Sequence, residues 1–584
     1  MHIRALGIGA LALVLAMLPL RADPPKTDAK KPVVQLPVGN LDTKDWLKYS
    51  TQRLAPGEID RLVNAELAKV SVKPAAKTTD EQFMRRVYLD LTGKLPMPAD
   101  ITEFVADKTP NKRAKLIDKL LDGNDYAKHW GQYWRIVITS KTEADFRLNI
   151  FVPHFERWLT EQIKENKGWD YIAREMITAK GKIMNSDRDA NGQAFFLVSR
   201  KGADAVNEIA AETSRIFLGI QIQCAQCHDH PSDVWKRQQF HEFAAYFARL
   251  RERPIIEEKK FIGSSIASLP VGEQMMPDKS DPKTGTRMAP KFLDGKSPPG
   301  AGVSGAKGII PVKGPGGFQK GGFGGLSDEA RRKALAEQIT DTNNPWFAAA
   351  YVNRMWGEFM GQSFYTPIDD LGPQKDAMMP AVLARVAGSF RGNGYDTKQL
   401  IRDIMTSDTY QRQIRPGETG EDHFLFATHN PVRMNSNALW QALTGAIGPF
   451  PGGGFGKGGP FGGFGKGGFG GLEFQFKQEF AYDPSTKADD IEGSIAQTLI
   501  LMNNAQINAR IKATGTNLLA RVLASYTEDG EAVRMVYLRT LARTPTEREM
   551  SRVRQHIQTV SNRPEAFEDL LWALINSTEF QMKR

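Results

Sequence analysis

The chain has 584 residues, 41% hydrophobic and 25% charged, the balance of a globular protein and not of a disordered or fibrous one. Its 77 basic and 67 acidic residues leave a net charge of +10, but the two signs are interspersed. No dense Lys/Arg block with interleaved aromatics marks a nucleic-acid interface, and two cysteines cannot staple distant parts of the chain together.

Residues 1–22 open with His2 and Arg4, run through an apolar core, and close on Ala22 before Asp23-Pro24-Pro25. That layout predicts a secretory signal and an exported protein, periplasmic, extracellular or in the cell envelope. The apolar run falls short of the roughly 20 residues a bilayer span requires. No later stretch is apolar enough to cross one, so no membrane span is expected after signal removal. Residues 23–45, rich in Pro and Lys, read as a tether. From 46 to 252 helical spacing dominates: Ile59, Leu62, Val63, Leu67 and Val70 form one stripe, and Phe83, Val87 and Leu91 another. Trp130, Trp134, Phe151 and Trp158 are core candidates. A helix through Ile209, Ala210, Ile216, Phe217 and Ile220 runs directly into Cys224-Ala225-Gln226-Cys227-His228. Beyond it, Pro231-Ser232-Asp233 is expected to start and cap a helix carrying Phe240, Phe243, Ala244 and Phe247 on one face.

Residues 253–326 lose the helical pattern and predict irregular structure or short strands, followed by a Gly-rich linker. Helical periodicity resumes at 327–584, with Ser327 as its first N-cap, and a Gly-rich insertion at 448–472 is expected to be disordered. That insertion is no phosphate loop, because Lys457 and Lys466 are each followed by Gly. The fold class is thus mainly α: two helical domains joined by an irregular or short-strand segment, with Gly-rich low-complexity insertions.

The chemistry concentrates in Cys224–His228. A Cys-x-x-Cys-His run is the pattern of c-type haem attachment: two thiols reach the two vinyl groups while the next imidazole aims at the iron. On this reading Cys224, Cys227 and His228 bind haem c, with His228 as the axial ligand to the iron. The alternatives are zinc held by Cys224, Cys227, His230 and His241, or a local disulfide with no cofactor. No sixth ligand declares itself; the candidates are Met275, Met276, Met379, His129, His154, His423 and His429, with Asp229 and Asp233 as supporting acceptors. The carboxylates Asp369 and Asp370 read as a helix end or surface feature. No complete catalytic constellation is present.

Gln82-Phe83-Met84-Arg85-Arg86-Val87-Tyr88-Leu89-Asp90-Leu91-Thr92-Gly93, then residues 112–121 and the Cys-Ala-Gln-Cys-His-Asp-His-Pro core, resemble a planctomycete cytochrome-associated domain of unknown function (PSCyt). Asn344-Pro345-Trp346-Phe347-Ala348, Val352-Asn353-Arg354-Met355-Trp356 and Pro367-Ile368-Asp369-Asp370-Leu371 resemble its partner domain (PSD). The resemblance implies a largely helical fold and a cytochrome character, with the biochemical role unassigned. Members often carry a further N-terminal cytochrome domain, and none is evident here. The chain departs from the pattern where Met378-Met379-Pro380 stands in place of Ser-His-Pro. Sequence and resemblance together point to an exported, haem-binding redox or electron-transfer protein with a redox partner protein. The alternative is a non-catalytic envelope or scaffold protein with zinc or a disulfide at the same motif.

Overall fold

The computed structural model describes residues 37–140, 149–186, 191–200, 202–305, 307–309, 325–414, 425–450 and 471–583. Residues 1–22, expected to be a signal, most of the expected tether, nearly all of both glycine tracts and His423 lie outside the described residues.

Short polar side chains set where helices begin. Thr79 accepts from the Gln82 amide ahead of the helix Asp80–Thr92, and Ser327, as expected, accepts from the Ala330 amide ahead of Asp328–Ile339. Thr546 and Glu549 form a reciprocal capping box on Glu547–Val560. One start differs from expectation. Pro231-Ser232-Asp233 initiates no helix; Arg237–Ala244 begins four residues later, with Lys236 as N-cap. The Asp233 carboxylate is instead occupied by the Val234 and Gln374 amides, and Asp229 reaches forward to the Arg237 amide.

Helices dominate among the described residues and the strands are short. β1 (Val38–Gly39) pairs with β8 (Ala377–Met378), and β9 (Val432–Arg433) with β10 (Met582–Lys583), both antiparallel. The non-helical stretch after residue 250 builds most of two three-stranded antiparallel sheets. β3 (Leu250–Glu257) and β4 (Lys260–Ser268) form a hairpin that recruits β2 (Lys182–Met184) along the free side of β4. β5 (Gln274–Pro277), β6 (Thr284–Met288) and β7 (Lys307–Ile309) form the second sheet.

Apolar side chains gather into two cores. The larger draws on residues from Leu41 to Ala427, so helices on both sides of the strand region share it, with a small contribution from Leu538 and Ala542. Trp134 stacks on Tyr351 with ring centroids 5.3 Å apart, and Trp169 leans on both rings. The second core gathers residues from Met434 to Phe580, joined by Leu89. The division between cores therefore falls near residue 430, not within 253–326. The reason is that the helices Ala205–Leu218 and Pro345–Met360 pack directly on each other. Each large side chain so buried contributes roughly 1.5–3 kcal/mol. No helix among the described residues is long and apolar enough to cross a membrane.

Candidate functional site

The Cys-x-x-Cys-His segment hangs from the end of the helix Ala205–Leu218. Gly219 closes that helix at φ 67°, where a Cβ would run into Leu371 and Ala350, and its carbonyl accepts from the Leu371 amide. The chain then forms one short 3-10 helix, Ile222–Gln226. Three residues per turn put every third side chain on one face. Ile222 and Ala225 accordingly point inward at 0% exposure, while Cys224 and Cys227 are exposed. His228 follows, also exposed, its Nδ1 at 2.7 Å from the Asp229 carbonyl oxygen. A carbonyl oxygen can only accept, so Nδ1 carries the proton and the Nε2 lone pair is left for another partner. Cys224, Cys227 and His228 are thus all exposed on one short segment.

A ring of polar groups lies beneath them. The Gln226 carbonyl accepts from His241 Nε2 at 3.0 Å and from Arg237 Nε at 3.4 Å, and the Gln226 side chain donates to both oxygens of Asp204. Asn207 donates to Asp204 and accepts from Gln274, whose amide also reaches His241 Nδ1 at 3.1 Å. His241 is 2% exposed, and burial pushes its pKa down to about 4, against the pull of the Gln226 carbonyl. It is a neutral imidazole with one nitrogen donating and the other accepting.

This arrangement does not assemble the zinc set Cys224, Cys227, His230 and His241. Both ring nitrogens of His241 are taken, and the Ser232 amide donates to His230 Nδ1. Among the described residues, no three His, Cys, Asp or Glu side chains converge as a metal cluster. The donor chemistry fits haem attachment: two exposed free thiols and an imidazole with Nε2 left for a metal. Of the clefts in the structure, one of about 560 Å³ lies between Asn124 and Lys164, and one of about 400 Å³ near Leu54 and Asp403; the motif lines neither.

The remaining ligand candidates are scattered. His129 is half-buried, with desolvation driving its pKa down to about 3, and His429 is buried with Nε2 on the Phe359 carbonyl. Met379 is buried ahead of the helix Pro380–Gly392, and His154 lies on Val152–Lys164. Met275 and Met276 lie on β5, whose last residue, Pro277, is joined to the Gln226 carbonyl through Arg237.

Asp369 is no surface feature. At 1% exposure it accepts from Arg215 at 3.0 Å, Gln221 at 2.9 Å and Ser485 at 2.8 Å, with Arg354 at 3.5 Å. Burial alone would raise its pKa; Arg354 and Arg215 outweigh burial and hold it below the ordinary carboxylate range. Asp370 pairs with Lys375, which also donates to Ser232. Asp233 packs so tightly on Gly372 that no Cβ fits there. Asp369, Gly372 and Lys375 thereby fasten the motif loop from the other side of the chain. Nothing about Gln226, Asp204, Asn207 or Gln274 in sequence sets them apart from surface residues.

Residues 58–252 match the family PSCyt2, a protein of unknown function (DUF1549), and residues 331–450 match PSD1, a protein of unknown function (DUF1553). No curated protein and no solved structure matches the chain. The Cys224–His228 segment sits inside the first match, and Asp369, which clasps it, inside the second. The chain belongs to the proteins that join a PSCyt2 domain to a PSD1 domain, in that order.

Proposed function

We propose that this is an exported c-type haem protein that passes electrons to a redox partner, with Cys224 and Cys227 as thioether anchors and His228 as axial ligand. The observation that carries the reading is the exposure, within five residues of chain, of two free thiols and an imidazole whose Nδ1 is held by the Asp229 carbonyl. Haem, when bound, supplies one-electron chemistry at its iron. The chain's own contribution is positional. Ile222 and Ala225 anchor the turn, the Asp229 carbonyl fixes the tautomer of His228, and the open surface lets a partner approach.

The test is expression in a periplasm with c-type maturation, followed by a pyridine haemochrome assay. Covalent haem at one per chain, abolished by Cys224→Ser and Cys227→Ser, is the expected result; a purified protein with no Soret band sinks it. The second reading, an envelope or scaffold protein with a disulfide at this motif, draws on the two exposed thiols standing one turn apart. It predicts loss of free thiol on mild oxidation, with no chromophore.

A further inference from the structure

We propose that His241 is the positioning residue of the Cys224–His228 segment, acting through the Gln226 carbonyl to set the direction in which Cys227 and His228 are presented. The inference rests on the reading that this segment is the chemical centre, and it holds whether the thiols carry haem or form a disulfide.

The argument begins with the peptide plane. The Gln226 carbonyl and the Cys227 amide belong to one rigid unit, so turning that carbonyl inward turns the Cys227 N–H outward and fixes the plane from which Cys227 departs. The 3-10 helix has only five residues and too few internal bonds to hold its last plane unaided. Its inner side is anchored by Ile222 and Ala225, both before Gln226. From Gln226 onward the direction depends on the two donors aimed at its carbonyl. His241 is the closer at 3.0 Å and is buried, whereas Arg237 at 3.4 Å also serves the Pro277 carbonyl.

The ring around His241 holds its donor in place. Gln274 donates to Nδ1, which forces the proton onto Nε2, where the Gln226 carbonyl needs it. Gln274 is in turn held by Asn207, Asn207 by Asp204, and Asp204 receives the Gln226 side chain, closing the circuit on the residue it positions. Each member is satisfied by the next, the condition under which a buried polar network specifies one geometry. A glutamine at position 241 could reproduce the pattern, with its NH₂ toward Gln226 and its carbonyl toward Gln274. Phenylalanine keeps the bulk and offers neither.

The full-length protein is made as wild type, His241→Phe, His241→Gln and Gln274→Leu, with far-UV circular dichroism and urea midpoints reporting the fold. Unloaded protein is pulsed with iodoacetamide, and the Cys227/Cys224 labelling ratio is read by mass spectrometry. His241→Phe should change that ratio about fivefold, the factor one hydrogen bond sets, and His241→Gln should stay within about twofold of wild type. Haem per chain, where wild type carries it, should fall in His241→Phe and return in His241→Gln. An unchanged ratio in a folded His241→Phe, or equal shifts in the Phe and Gln variants, overturns the proposal. Should His241→Phe fail to fold, Gln274→Leu decides: it frees Nδ1 and should move the ratio away from wild type, and a wild-type ratio in that variant overturns the proposal. If wild type carries no haem, the haem reading falls while the labelling ratio still judges the role of His241.

Discussion

Single residues show where this protein commits charge to its interior. Lys583 is buried between Asp90 at 3.0 Å and Glu358 at 2.7 Å. Burial opposes its charge, and the two carboxylates outweigh burial and raise its pKa. Lys583→Met leaves Asp90, itself 2% exposed, facing Glu358 with no cation between them. The variant should lose about 3–5 kcal/mol in urea unfolding, because one member of a buried pair has been removed. In a double-mutant cycle, Asp90→Asn should recover part of that loss; strictly additive effects would rule out the coupling. Three desolvated histidines set a pH window, His241 and His429 buried and His129 half-buried. His241 and His129 have folded pKa values of about 4 and about 3, and His429 also lies well below its ordinary value, all three through desolvation. Unfolded histidine takes its proton near 6.5, so the unfolded state binds more protons as pH falls below that value. Their contribution is complete above pH 6.5 and is lost on descending toward 4, at up to roughly 1.4 kcal/mol per unit for each. Asp403, raised to about 6 by burial, works in the opposite sense, as do Asp90 and Asp569, whose carboxyls burial also raises, but carboxyl groups come into play below the onset of histidine protonation near 6.5. Urea midpoints should therefore drop between pH 7 and pH 5; a flat profile there contradicts the desolvation of these rings.

At the scale of elements, the Ile222–Gln226 turn separates what faces in from what faces out by its period of three. The motif's two intervening residues are its structural half: Ala225 enters the core and Gln226 enters the polar ring. Ala225→Leu should overpack this junction and cost about 1–3 kcal/mol. The loop that follows depends on a close approach, since Gly372 leaves no space beside Asp233 for a Cβ. Gly372→Ala should displace the Asp233 loop and lower the urea midpoint, by about 1–3 kcal/mol for an overpacked contact. A wild-type midpoint would show that the loop shifts freely. The missed helix start at Pro231-Ser232-Asp233 has the same cause. Locally those residues form a good N-terminus, but Asp233 is drawn to Gly372 and Gln374, contacts that no window of sequence can display.

For the whole molecule, the decisive feature is that the two family-matched segments are not independently cored. Arg215 from the first and Asp369 and Arg354 from the second form one buried ionic hub, with Gln221 from the approach to the motif and Ser485 from beyond both. Asp369→Asn leaves Arg354 facing a neutral amide, while Arg215 keeps Glu212 at 2.6 Å, and should cost about 3 kcal/mol, the low end for removing one member of a buried pair. Hydrogen exchange should rise specifically across residues 219–235, the segment this hub fastens. Protection loss confined to the second core would count against that linkage. Phe567, fully buried in the second core, gives the contrasting case. Phe567→Ala should cost about 3–5 kcal/mol from its cavity while leaving exchange at 219–235 near wild type.

The helical class, the helix beginning after Ser327, the short strands beyond residue 250 and the Cys224–His228 segment are local properties, and sequence alone determined them. Propensity, periodicity and capping act over a few residues, so they are legible within a window. The partition into two cores near residue 430, the burial of Asp369, the engagement of His241 and the exposure of the thiols were decided only by tertiary structure. Each depends on groups tens to hundreds of residues apart, such as Gln226 with His241 and Arg215 with Asp369. The free energy of a buried charge or a shared core belongs to the assembled surroundings and not to the residue, and that is why those features had no signature in the chain itself.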